Sequence, residues 1–194
     1  MSVVGSLALV RMRRPLMVTS LAIALLVSLG GGWLLSGSSD DDYQLDSTAG
    51  SIALNKVSEG TALASVQVED AGGNLVATDT WLGQPLIVNF WFSTCEPCRR
   101  EFPILVAADA QFDHIRFIGV NISDTSRTAE TFLATYDATF DNFFDRDGRL
   151  TSAMSIATAP VTLLIDAGGV VRRQLTGEIT AAMLNEAIAE VFPA

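Results

Sequence analysis

Residues 85–92, PLIVNFWF, form a nearly continuous apolar run of strand length that leads straight into both cysteines of the chain, Cys95 and Cys98. Apolar side chains at almost every position, without alternation, mark a central strand covered on both faces. The period then changes. Residues 96–112 carry Phe102, Leu105 and Val106 at helical spacing, and Pro103 is expected to kink that helix, because it removes a backbone donor and crowds the preceding turn.

The same alternation of strand and helix continues down the chain. IRFIGVNI reads as a strand, TSRTAETFLATYD as a helix, NFFD as a short extended piece and RLTSAMSI as a helical segment. VTLLIDAGGVVRRQL reads as a hairpin turning at residues 167–169, and a last helix is expected from about Thr180 to Phe192. Upstream, ALASVQVE over 62–69 alternates as a half-buried strand does, and DAGGN turns it toward a short partner at 75–78. The fold class is α/β with a mixed central sheet, a leading β-hairpin and an antiparallel edge added by the terminal hairpin.

Two cysteines three positions apart narrow the chemistry. A disulfide between them closes too short a loop to stabilise much through the unfolded chain. A zinc site needs further ligands, and beyond the two sulfurs the sequence offers one histidine, His114, with carboxylates as the remaining candidates. A redox-active pair is the remaining reading, and no other cofactor or metal is called for.

The N-terminus says where such a pair would work. Residues 16–35 are twenty positions without a charge, which at about 1.5 Å per residue reach across a bilayer core of about 30 Å. Arg11, Arg13 and Arg14 precede the run and SGSSDDDYQ follows it, so residues 1–15 are expected in the cytosol and the remainder outside. Ser36 and Ser38 are small enough for a cleavage site, but the run exceeds a usual signal core, which favours an uncleaved anchor. Residues 36–59 then act as a tether, rich in Ser, Gly, Asp and Thr at its start, and residues 60–194 form the working domain. Nine basic residues against 22 acidic ones follow the leading arginines, a balance of −13, which excludes nucleic acid and an anionic lipid surface as natural partners of that domain.

The strand-to-helix junction gives the cysteines different roles. Cys95 falls at the helix N-terminus, where unpaired N–H groups and the dipole favour a thiolate, so it is the expected nucleophile. Cys98, a turn further in, is the expected resolving thiol. Pro97 suits the first helical turn. Glu96 opposes the helix-end effect, because a carboxylate beside the nucleophile favours the protonated thiol. Glu101 lies three residues after Cys98 on the same helical face. If buried, its pKa rises and it can exchange a proton with a cysteine; if exposed, it is a surface carboxylate or a partner of Arg99 or Arg100. DRDGR, residues 145–149, lacks the oxygen ligands of a calcium loop and reads as a turn.

GQPLIVNFWFSTCEPCRREFP, FIGVNISD, FFDRDGRLTSAMSIATAPVTLLIDAGGVV and TGEIT together resemble the ResA/TlpA group of exported thioredoxin-like thiol-disulfide oxidoreductases, over about Gly60 to Phe192. The resemblance implies a thioredoxin fold with an N-terminal hairpin extension. It implies that Ala159–Pro160 is cis and packs against the CxxC motif, although an X–Pro bond on its own favours trans. It leaves the Ala159 backbone free to pair with an extended substrate segment, and it maps the group's buried active-site glutamate onto Glu101. Glu96 matches the CEPC form of the reductive members. Trp91 stands at its expected place, whereas Thr94 replaces the group's usual tryptophan before the first cysteine, which alters docking beside Cys95 and the oxidising strength of the pair. Substrate contacts are therefore expected from Pro160, Ala159, Thr94, Glu96, Pro97 and Trp91.

The implied activity is reduction of disulfides in exported proteins, with apocytochrome c as the client and a membrane thiol donor supplying electrons. An oxidant or isomerase would use the same residues in the other direction. A peroxidase of the related peroxiredoxin type would need a threonine three residues before Cys95, where this chain has Phe92. A non-enzymatic binding domain would not need both cysteines in the exchange arrangement.

Overall fold

The computed structural model describes residues 55–193. Its strands are β1 (Gln67–Glu69), β2 (Leu75–Ala77), β3 (Leu86–Trp91), β4 (Arg116–Asn121), β5 (Asp141–Phe144), β6 (Val161–Ile165) and β7 (Val171–Thr176). Its helices are α1 (Glu96–Gln111), α2 (Ser126–Thr135), α3 (Arg149–Ala153) and α4 (Ala181–Val191). The strands form one mixed sheet in the order β2-β1-β5-β4-β3-β6-β7. This is the thioredoxin-like α/β fold. The apolar run at 85–92 does supply a central strand: β3 is buried at every position, pairs in parallel with β4 and antiparallel with β6.

Period-two alternation along β3 divides the core between the faces of the sheet. Leu86, Val88 and Phe90 join Ile118, Val120 and Leu163 in one cluster; Ile87 and Trp91 join Cys98, Phe102 and Phe132 in the other. Asn89 falls between Ile87 and Trp91 on the second face, a buried amide facing the side that holds α1. Helix α1 continues through Pro103.

The leading hairpin is shorter than its alternation predicts. β1 and β2 pair over three residues each, and 62–66 are not part of the strand. Those residues bond elsewhere: Leu63 donates to the Gly169 carbonyl at 2.8 Å, Ala62 bridges Val170, and the Thr78 hydroxyl donates to the Ala64 carbonyl at 2.6 Å. The 145–149 turn caps α3. The buried Asp145 carboxylate accepts from Leu150 N at 3.0 Å and from Thr151 N at 2.8 Å, and Gly148 adopts φ 65° before the helix.

Among the described residues no helix is long and apolar enough to cross a membrane. The expected span at 16–35, the tail at 1–15 and the first part of the tether lie outside the described residues.

Candidate active site

β3 ends at Trp91, and a tight turn carries the chain into α1 with Cys95 as the N-cap residue. Its sulfur accepts from Cys98 N at 3.2 Å, so the first turn of the helix presents an N–H to it. Cys95 and Cys98 form a disulfide. The two sulfurs have unlike surroundings: Cys98 is fully buried, while Cys95 keeps 5% of its surface. Thr94 and Glu96 beside it are exposed, and Pro97 lies in the first turn. The Glu96 carboxylate is 3.9 Å from both Arg99 Nε and Arg100 Nη1, which offset part of its charge.

Across from Cys95 the Ala159–Pro160 bond is cis, and the Ala159 carbonyl oxygen lies 3.8 Å from the Cys95 sulfur. Pro160 is buried and its carbonyl accepts from Gly177 N at 2.9 Å. Trp91 lies beneath the site, not at its surface. It is fully buried, its ring stacks on Phe132 with centroids 4.8 Å apart, and its indole N–H donates to Asn142 Oδ1 at 3.2 Å.

Glu101 is completely buried, one turn beyond Cys98. Burial pushes its pKa up to about 8, with a small further push from Glu178. The hydrogen bonds that its carboxylate accepts, from Ile179 N at 3.0 Å and Asn89 Nδ2 at 2.8 Å, pull the other way. A carboxyl near 8 lies close to a thiol's ordinary value of about 8.5, the match that proton exchange with a reduced cysteine would require.

Two residues of this arrangement were missed by the sequence reading. Asn89 bridges Glu101 to Thr162 Oγ1, 3.0 Å away; the signal for it was a polar side chain inside the apolar run. Asn55, placed in the tether, is fully buried and clamps the loop that leads to Ala159. Its Oδ1 accepts from Ala157 N at 2.7 Å and Thr158 N at 3.0 Å, and its Nδ2 donates to Thr158 Oγ1 at 3.2 Å. Nothing in a polar linker composition singles it out.

A helix capped by a cysteine, its disulfide to a buried cysteine one turn on and a cis proline on a thioredoxin-like sheet define a thiol-disulfide oxidoreductase. Residues 60–174 match the AhpC/TSA family, and the chain belongs to that family. Within it the chain is of the ResA, DsbE and HelX type. It is 27% identical over 132 residues to the thiol-disulfide oxidoreductase ResA of Bacillus subtilis, covering 67% of this chain and 74% of that one. It is 32% identical over 136 residues to the thiol:disulfide interchange protein HelX of Rhodobacter capsulatus, covering 66% and 76%. A Chlorobium tepidum structure described as a thiol:disulfide interchange protein DsbE superposes with a TM-score of 0.63 at 26% identity, over 70% of this chain and 99% of that one.

Proposed function

We propose that this protein is a membrane-anchored reductase of disulfides in exported proteins, with apocytochrome c as the client class. The observation that carries the reading is the unlike placing of the two sulfurs, one capping a helix with 5% of its residue's surface exposed and the other fully buried behind it. In the reduced protein the Cys95 thiolate attacks one sulfur of a client disulfide, whose S–S bond breaks and releases the other sulfur as a thiolate. The Cys98 thiol gives up its proton, with the Glu101 carboxylate as the nearby acceptor, and attacks the Cys95 sulfur. The mixed disulfide breaks, the second client thiolate leaves and takes up a proton, and two electrons have passed to the client.

The reductive direction is supported by Glu96. A carboxylate beside Cys95 raises the energy of its thiolate, and a less stabilised reduced form makes the pair a weaker oxidant. Residues 16–35 would hold the domain at the outer face of the membrane, where disulfides persist. A membrane thiol donor would return the electrons by the same exchange, so no cofactor beyond the Cys95–Cys98 pair is required. Ala159, Pro160, Thr94, Glu96 and Pro97 would border the client segment, and Trp91 would support them from below.

The test is the reduction potential of the protein, equilibrated against thiol buffers with trapping of free cysteines. A value near or below about −270 mV supports the reductase, and one near about −120 mV makes it a disulfide donor and overturns the direction. Cys98→Ser, which cannot resolve the mixed disulfide, is expected to accumulate clients on Cys95.

A further inference from the structure

Next to Cys95, between the start of α1 and the face of α2, lies a cavity of about 470 Å³. Phe132 and Tyr136 make its apolar wall, and Thr94, the residue directly before Cys95, forms part of its lining. Its charged groups are two guanidiniums in a chain that carries 22 acidic residues against 12 basic ones. Arg99 Nη1 donates to the Ser93 carbonyl at 3.2 Å, and its guanidinium carbon sits 5.8 Å from the centroid of the Phe132 ring. Arg127 extends from α2, and its side chain has no hydrogen bond or ion pair among the described residues.

Of the two guanidiniums, only Arg99 meets an acid at ion-pair distance among the described residues, Glu96 at 3.9 Å. Asp124 is turned inward: its carboxylate accepts from Ser93 N, Ser93 Oγ and Asn121 Nδ2, each at 2.7 Å. Glu96 is exposed and shared at 3.9 Å between Arg99 and Arg100. The Thr131 hydroxyl donates to the Arg127 carbonyl at 2.9 Å, within its own helix. Among the described residues, the donors left without a partner in this lining are therefore the Arg127 guanidinium and the neutral hydroxyls of Thr94 and Tyr136, so its unpaired charge is positive.

We propose that this cavity is a specificity subsite that receives a carboxylate side chain, Asp or Glu, adjacent to the client half-cystine attacked by Cys95. The inference rests on the thiol-disulfide exchange proposed above and adds the kind of client sequence that is favoured. Consecutive Cα atoms are about 3.8 Å apart, so a client chain whose sulfur reaches Cys95 brings its next residue over Thr94 and the cavity mouth. An apolar wall accommodates the methylenes of Glu, and the guanidiniums take its carboxylate in the paired geometry for which arginine is suited. Thr94 leaves this mouth open, where a larger ring at the same position would narrow it.

Three disulfide-linked fluorogenic peptides that differ only beside the target cysteine, carrying Glu, Gln or Lys, test the subsite with the reduced full chain. The expected second-order rate is about fivefold higher for Glu than for Lys at low ionic strength, the size of an exposed ion pair, and the difference collapses at about 1 M salt. Arg127→Gln is expected to reduce the preference and Arg127→Glu to reverse it. Arg172→Gln, which removes the same charge on β7 outside the cavity, is expected to retain it. Equal rates for the three peptides, or a Glu preference that persists in Arg127→Glu, would overturn the subsite and leave the exchange chemistry standing. If even the Gln peptide is not reduced, the exchange reading fails and takes the subsite with it.

Discussion

The Asn89 amide donates to Glu101 Oε1 at 2.8 Å, while its own Oδ1 has no hydrogen-bond partner among the described residues. The bond favours the ionised carboxylate and restrains the rise in pKa that burial causes. Replacing Asn89 with Leu is therefore expected to move the Glu101 pKa above about 8. Carboxyl carbon chemical shifts followed against pH read this directly. An unchanged or lower value would show that the Asn89 bond does not support the carboxylate.

The same carboxyl makes stability depend on pH. Glu101 titrates near 4.5 when exposed in the unfolded chain and near 8 in the fold, so between those values the folded protein binds the additional proton. Its stabilising contribution is fully present below about pH 4.5 and is lost as pH rises toward 8, on the order of 5 kcal/mol across the window. Urea unfolding from pH 5 to 8 should show this decline against the background of other groups. Glu101→Gln, which cannot ionise, should flatten it, and an equal decline in both proteins would refute the assignment.

Gly119, on β4, pairs in register with Asn89 and leaves no room for a side chain. A Cβ there would collide with Asn142 Oδ1 and come within 2.8 Å of Trp91 Nε1, the two atoms that hydrogen-bond to each other. Gly119→Ala is expected to cost about 1–3 kcal/mol through overpacking and to shift the fluorescence of the buried Trp91 by breaking its bond to Asn142. Denaturant midpoints and emission spectra check both effects. Wild-type values in both would mean that the neighbouring chains relax without loss.

Much of this arrangement was legible because it depends on local pattern. The apolar run at 85–92, the switch to helical spacing after Cys95 and the hairpin turn at 167–169 each announce an element within a few residues. The site was legible where chemistry is concentrated in one stretch, as with Cys95, Cys98 and Glu101. What escaped is set by contacts across the chain. Residues 62–66 alternate like a strand, yet Leu63 finds its partner at Gly169 and Ala64 at Thr78. Trp91 is numbered among the substrate contacts through the family resemblance, but strand alternation turns it inward onto Phe132.

Asn55 is the clearest of these long-range contacts, more than a hundred residues from the loop it holds, and it supplies the last prediction. Its carbonyl oxygen takes the N–H groups of both Ala157 and Thr158, immediately before the Ala159 carbonyl that faces the Cys95 sulfur. Truncating it to Ala removes the acceptor of both donors and the fully buried side chain that carries it, a loss of about 1–3 kcal/mol. The effect should be local before it is global: the amides of Ala157 and Thr158 should exchange hydrogen faster than the β3 amides, and thiol-disulfide exchange should slow as Ala159 loses its fixed place. A merely structural clamp would lower the denaturation midpoint and leave the exchange rate of the folded protein as it was. Faster amide exchange with an unchanged thiol reaction would therefore separate Asn55 from the active site, whereas loss of both together makes it a positioning residue for the backbone beside Cys95.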